Sequence, residues 1–167
     1  MRQKNVYKIR KAMFQDVKSI YKLIKQHPDE VLPLSISDII QNIDRFIVSQ
    51  IEDRIVGTAS WQILPEIGKV ENSSIEIKSL SVATEFQHRG IGTALVEAML
   101  ERLKVYQPVQ VVVLTFVPEF FQKFGFKKVP KETLMYKLYS GCINCTKYES
   151  PFTCPAIAMM YTSNANS

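Results

Sequence analysis

The chain has 167 residues, 46% of them hydrophobic and 22% charged, so it can bury about two-thirds of the surface its unfolded form exposes, which predicts one core and one domain. Its net charge of +5 suits an anionic ligand, but the basic residues fall singly or in small groups (Lys8, Arg10 and Lys11; Lys127, Lys128 and Lys131), with no basic helix stripe or interleaved aromatic platform, which argues against a nucleic-acid partner. No apolar run approaches the length of a membrane span and Met1-Arg2-Gln3-Lys4-Asn5 leads directly into a strand, so a soluble, cytoplasmic protein without a signal peptide is expected.

Residues 7–12 read as a short strand after an N-terminal extension of residues 1–6. Phe14-Gln15-Asp16 opens a helix whose apolar positions Val17, Ile20, Tyr21 and Ile24 recur at helical spacing, and His27-Pro28 ends it. Ser35 and Ser37 are two candidate N-caps for a second helix holding Ile39, Ile40 and Ile43. Residues 45–52 and 55–63 predict two antiparallel strands around the turn-forming Glu52-Asp53-Arg54. In the strand over 74–82 the apolar residues run Ile75, Ile77, Leu80, Val82, so the alternation slips by one at Lys78-Ser79, the mark of a β-bulge that frees backbone groups for a ligand.

Gln87-His88-Arg89-Gly90-Ile91-Gly92 then joins this strand to an amphipathic helix with Ala94, Leu95, Ala98, Met99 and Leu103 on its apolar face. A helix starting at about Gly90 would aim unpaired N–H groups and the positive end of its dipole at an anion, so the turn reads as a phosphate cradle. Rival glycine motifs fail. A dinucleotide fingerprint from Gly90 would need glycine where Leu95 stands, and no Gly-Lys-Ser/Thr is present for a Walker loop. Residues 110–116, bounded by Pro108 and Pro118, predict a central strand buried on both faces. A short helix over 119–123, the Gly125-Phe126 turn, a last strand over 155–162 and a frayed tail at 162–167 complete the chain.

The loop resembles the acyl-CoA pyrophosphate loop of the GNAT superfamily of N-acetyltransferases, and the bulged strand, amphipathic helix, buried strand and Phe121-Gln122-Lys123-Phe124-Gly125-Phe126 follow in that family's order. Ile9-Arg10-Lys11-Ala12, Val31-Leu32-Pro33-Leu34-Ser35, Glu76-Ile77-Lys78-Ser79-Leu80-Ser81-Val82, Val117-Pro118-Glu119-Phe120-Phe121 and Cys142-Ile143-Asn144-Cys145 look like its single-domain N-acetylglutamate synthase-like branch. The resemblance implies an α/β (α+β) GNAT fold over residues 7–161, with a mixed, twisted sheet of six to seven strands, about four flanking helices and a cysteine-containing hairpin at 131–155. It further implies transfer of acetyl from acetyl-CoA to a primary amine of a small, amino-acid-like substrate, by direct attack within a ternary complex.

Carried onto this sequence, the family's sites imply that backbone groups of Leu80, Ser81 and Val82 hold the thioester and pantetheine. Gln87, His88, Arg89, Gly90, Ile91, Gly92 and Thr93 would hold the pyrophosphate. Glu76 stands where related enzymes carry a general base, and Arg10 and Lys78 match positions that bind the acceptor's carboxylates. Each also has a bland reading, as an ordinary strand residue facing solvent. Phe121, placed in the cofactor site, stands where many relatives have a proton-donating tyrosine, and Tyr136 is not placed well enough to replace it. Leu34 stands where close relatives typically have arginine, which disfavours glutamate as acceptor.

Three alternatives stay open. One is a protein or peptide N-acetyltransferase, one a non-catalytic acyl-CoA-binding regulatory module, and one a metal or redox module built on Cys142, Cys145 and Cys154. Three thiolates fall short of the four ligands a structural zinc usually takes, so no metal is expected and reduced, packed cysteines are preferred over a disulfide. A homodimer is compatible with all of these.

Overall fold

The two strands expected around Glu52-Asp53-Arg54 form a β-hairpin, β2 (Phe46–Ile51) and β3 (Arg54–Leu64), against which β1 (Lys8–Lys11) lies antiparallel. Glu52 makes the hairpin turn in the left-handed region, at φ 51°. A computed structural model describes residues 6–65, 71, 73–134, 142 and 145–162. Expectations for residues 1–5 and 163–167, for Tyr136, and for the 135–141 and 143–144 parts of the cysteine hairpin lie outside these.

Further along come β4 (Ser74–Val82), β5 (Val111–Thr115), β6 (Lys127–Lys128) and β7 (Ile157–Tyr161), with helices α1 (Val17–Lys25), α2 (Ile36–Gln41), α3 (Ile91–Leu103) and α4 (Pro118–Gln122). The seven strands pair in the order β1-β2-β3-β4-β5-β7-β6. β5 is parallel to β4 and antiparallel to β7, which makes the sheet mixed. Among the described residues this gives a seven-stranded mixed sheet with four α-helices, within the six to seven strands and about four helices expected. The two-residue β6 carries only lysines and so gives no alternation to read; it is held by pairing Lys127 with Met160 and Lys128 with Met159.

The chain divides into two compact units, one over Met1–Trp61 and Lys78–Arg102, the other over Gln62–Ile77 and Leu103–Ser167. In the first, Val17, Ile20 and Ile24 of α1 pack with Ile39 of α2 and with Phe46 and Val48 of β2, as the helical spacing predicts. Ile40, expected on the same apolar face, is instead 44% exposed, because the six-residue α2 buries only the Ile39 side. Ser35, not Ser37, caps α2: its hydroxyl accepts from the Asp38 amide at 3.0 Å, while Asp38 accepts from the Ser35 amide at 2.9 Å.

In the second unit Leu64, Val112, Leu134 and Ala158 form a core cluster with Leu114, Val129 and Met160 packed against it. Val111, Val112, Val113 and Thr115 are all buried, as a strand paired on both edges requires. On α3, Leu95, Met99 and Leu103 are buried as expected, but Val96 joins them while Ala94 and Ala98 are half-buried, so the apolar stripe is rotated toward Val96.

Candidate functional site

The turn over residues 87–92 begins beyond the end of β4. The Ala83 amide donates to the Val56 carbonyl at 2.8 Å, a 3-10 turn spans Thr84–Phe86, and the chain then passes through left-handed residues at His88 (φ 59°) and Gly90 (φ 84°). Two left-handed residues so close together curl a backbone so that successive N–H groups face one concavity. The Gly90 carbonyl accepts the first helical bond of α3, from the Ala94 amide at 3.0 Å, so the amides of Ile91, Gly92 and Thr93 have no acceptor within the helix. Nothing lies within 4 Å of where a Cβ on Gly90 would sit, so the mouth of the turn is open.

Beside it, the guanidinium groups of Arg54 and Arg89 stack over the Phe86 ring at 5.2 and 5.3 Å, and Arg54 is ion-paired with Glu85. α3 rests close against the sheet because β3 offers bare backbone beneath it. A Cβ on Gly57 would come within 3.0 Å of Leu95 Cδ1 and 3.1 Å of Ile91 Cγ2. The Gln87 side-chain amide donates to the Val82 carbonyl at 3.2 Å.

Where the alternation slips in the sequence, Ser79 takes the left-handed region at φ 55°. Ser74, Ile75, Glu76 and Ile77 are all buried, and from there burial alternates: Ser79 and Ser81 are buried, while Lys78, Leu80 and Val82 are half-exposed. What slips is the hydrophobicity, which puts two apolar side chains on the open face and two serines on the closed one. Among the described residues the Ser81 and Ser49 hydroxyls are buried without a hydrogen-bond partner.

Arg10 is already engaged. Its guanidinium donates to both Asp16 oxygens, at 2.7 and 2.9 Å, and its Nε donates to Gln50 Oε1 at 2.8 Å. Asp16 also accepts from the Met13 amide at 2.8 Å. The hydrogen bonds from Arg10, joined by that from Met13, outweigh burial and hold the Asp16 carboxyl below its ordinary range. Lys78 is half-buried, and its ammonium adds a smaller favourable field at Asp38, whose carboxyl is held low chiefly by hydrogen bonds from Ser35. Leu34 packs against the α1–α2 core cluster.

Glu76 and Phe121 belong to the second unit. Glu76 is 3% exposed, which overturns the reading of a solvated glutamate, and its Oε2 accepts from Gln62 Nε2 at 2.5 Å. Buried carboxylates are rare unless held by donors. Phe121, 5% exposed, meets Phe120 and Phe126 edge to face with centroids 5.1 and 5.5 Å apart. Cys142, Cys145 and Cys154 are half-buried thiols, and Lys131 Nζ holds the segment around Cys154 by donating to the carbonyls of Pro151 and Cys154.

Two contacts could not be read from the chain: Gln62 on Glu76, and His27, whose Nε2 lies 2.9 Å from the Val82 carbonyl. Among the described residues no helix is long and apolar enough to cross a membrane, and no group of His, Cys, Asp and Glu is arranged to hold a metal.

A family model described as an acetyltransferase (GNAT) domain matches residues 42–128. An uncharacterized N-acetyltransferase of Chlorobaculum tepidum is 31% identical over 156 residues, covering 92% of this chain and 95% of the relative. An amino-acid acetyltransferase of Mycobacterium tuberculosis is 27% identical over 126 residues, covering 72% of this chain and 68% of the relative. Among solved structures, a Mycobacterium tuberculosis protein in complex with CoA and NLQ superposes with a TM-score of 0.77 at 21% identity, over 93% of this chain and 99% of that one. N-acetylglutamate synthase from Neisseria gonorrhoeae, complexed with CoA and N-acetyl-glutamate, gives 0.76 at 17% identity, over 94% of this chain and 35% of that one. At these identities the solved structures speak for the fold.

Proposed function

Because the chain belongs to the GNAT acetyltransferase family and is an acetyl-CoA-dependent N-acetyltransferase, we propose that its acceptor is the primary amine of a small, amino-acid-like molecule, acetylated by direct attack in a ternary complex. The observation that carries this reading is Glu76, a carboxylate buried to 3% exposure and held by Gln62 on the strand that leads into the phosphate-facing turn. The open mouth at Gly90 and the first-turn amides of α3 fit a pyrophosphate, with Arg89 beside them adding charge. The half-exposed Leu80 and Val82 suit an aliphatic pantetheine arm, with the backbone of residues 80–82 as its hydrogen-bonding edge.

Acetyl-CoA supplies an activated thioester. The protein's task is to hold it, take the proton from the attacking amine and stabilise the oxyanion. We assign the proton to Glu76, directly or through a water. As the C–N bond forms and the C–S bond breaks, the CoA thiolate leaves without help from position 121, because phenylalanine has no proton to give. Names among the relatives, amino-acid acetyltransferase and N-acetylglutamate synthase, support an amino-acid acceptor. We assign the acceptor's carboxylate to Lys78, half-buried two positions after Glu76 on β4, and the apolar Leu34 favours an amino acid with one carboxylate over glutamate.

The test is release of free CoA from acetyl-CoA against a panel of amines: the amino acids, polyamines and a lysine peptide. Turnover with one small amine, falling by about 10²–10⁴ in Glu76→Gln while acetyl-CoA still binds, supports the reading. Turnover with the peptide alone would favour a protein or peptide acetyltransferase. Binding without turnover for any amine would favour the non-catalytic module.

A further inference from the structure

We propose that His27 is a positioning residue for the acyl-CoA site, acting through the Val82 carbonyl. The inference rests on the acetyltransferase reading and adds to it a residue outside the phosphate-facing turn. A carbonyl oxygen only accepts, so the 2.9 Å contact requires a hydrogen on Nε2, with Nδ1 left as the acceptor nitrogen of the neutral ring. The same oxygen accepts from Gln87 Nε2 at 3.2 Å, which fills both its lone pairs. On the other edge of that peptide unit the Ala83 amide donates to the Val56 carbonyl at 2.8 Å. The single peptide plane between Val82 and Ala83, where β4 becomes the turn, is therefore fixed at both its polar ends.

His27 is itself held. Its amide donates to the Ile24 carbonyl at the end of α1, and its own carbonyl accepts from the amides of Glu30 at 3.1 Å and Val31 at 3.0 Å. Val31 in turn packs against the α1–α2 core cluster. The imidazole thus reaches from a backbone anchored to the core to the last carbonyl of β4, across 55 positions of sequence. Gln87 alone could not do this work, because it belongs to the segment being positioned. Its bond closes residues 82–87 into a ring, while the bond from His27 ties that ring to the end of α1, apart from its contacts with Val56 and Arg54 of β3. Losing the tie to α1 leaves the Val82 peptide held from β3 alone, the turn samples more orientations, and apparent affinity falls with the fraction still competent.

The test is isothermal titration of acetyl-CoA into the full chain, with steady-state kinetics, for wild type, His27→Leu and His27→Gln. The glutamine amide can reach the position of Nε2 and donate there; leucine keeps bulk but has no donor. The expected result is a Kd and KM for acetyl-CoA raised about tenfold in His27→Leu, roughly the worth of one net hydrogen bond. Its kcat should stay within about twofold, and His27→Gln should lie near wild type. An unchanged Kd in folded His27→Leu, or a fall in kcat at constant KM, would overturn the proposal and leave His27 a packing residue. Wild type that binds no acetyl-CoA would instead sink the acetyltransferase reading beneath it. Should neither variant fold, the ring nitrogens of wild type decide by NMR at pH 8, where an Nε2–H tautomer is expected and an Nδ1–H tautomer would refute the contact.

Discussion

Replacing Asp16 with alanine should destabilise the protein by about 3 kcal/mol. The carboxylate is 5% exposed and accepts three hydrogen bonds, two from Arg10 at 2.7 and 2.9 Å and one from the Met13 amide at 2.8 Å. Breaking a buried pair by removing one partner typically costs about 3–5 kcal/mol, because the other charge is left without compensation. Here the Arg10 side chain is 21% exposed, so water can partly rehydrate it, and the lower end applies. For a chain of this length that is a fall of roughly 6–12 °C in Tm. Urea denaturation of wild type, Asp16→Ala, Arg10→Met and the double variant would measure it. The cycle should return a coupling of at least about 1.5 kcal/mol. A loss below about 1 kcal/mol, with Arg10→Met mainly raising the KM of the acceptor amine, would refute the reasoning and return Arg10 to the substrate role read from the sequence.

The same carboxylate sets a pH signature. Its folded pKa is depressed, so its stabilisation is present above the unfolded value of about 3.9 and is lost as pH falls through the lowered folded value. The stability gap between wild type and Asp16→Ala should therefore narrow as urea midpoints are followed below about pH 4, and a constant gap would count against the ion pair. Gly57→Ala places a methyl 3.0 Å from Leu95 Cδ1 and 3.1 Å from Ile91 Cγ2, both fully buried residues. We expect a loss of about 1–3 kcal/mol by denaturant melts, with weaker acetyl-CoA binding because α3 must lift. Gln62→Leu removes a donor from Glu76, and kcat should fall about five- to tenfold at unchanged acetyl-CoA KM; full activity would show that Glu76 is oriented by other groups.

Much of the fold was legible because it rests on periodicity. Apolar runs around the turn-forming Glu52-Asp53-Arg54 located the β2–β3 hairpin, a continuous apolar run between Pro108 and Pro118 located β5, helical spacing located α1 and α3, and glycine chemistry marked the turn at residues 88–92. The irregularity at Ser79 was visible as a slip in hydrophobicity, although burial does not slip with it. Periodicity assigns a residue to a face and says nothing about what that face meets. Glu76 follows an alternating pattern that reads as solvated, yet it is buried, because β4 is covered on both sides at that point. Arg10 with Gln50, Gln62 with Glu76 and His27 with Val82 join residues 40, 14 and 55 positions apart, and no local signal encodes such pairings. Lys127 and Lys128 form a strand only because Met159 and Met160 offer them an edge.

The left-handed residue Ser79 also bears on how this chain could change over time. Upstream of it β4 is keyed by register to β5 through Ile75–Val111 and Glu76–Val112, while downstream its last peptide answers to Val56, His27 and Gln87. A residue in the left-handed region between them absorbs small shifts of one segment without passing them on to the other. The position assigned to the acceptor's carboxylate, Lys78, can therefore be altered while Glu76 and residues 80–82 keep their geometry. A strand built in this way lets the choice of amine drift under selection, or be redesigned in the laboratory, while the acyl donor stays the same.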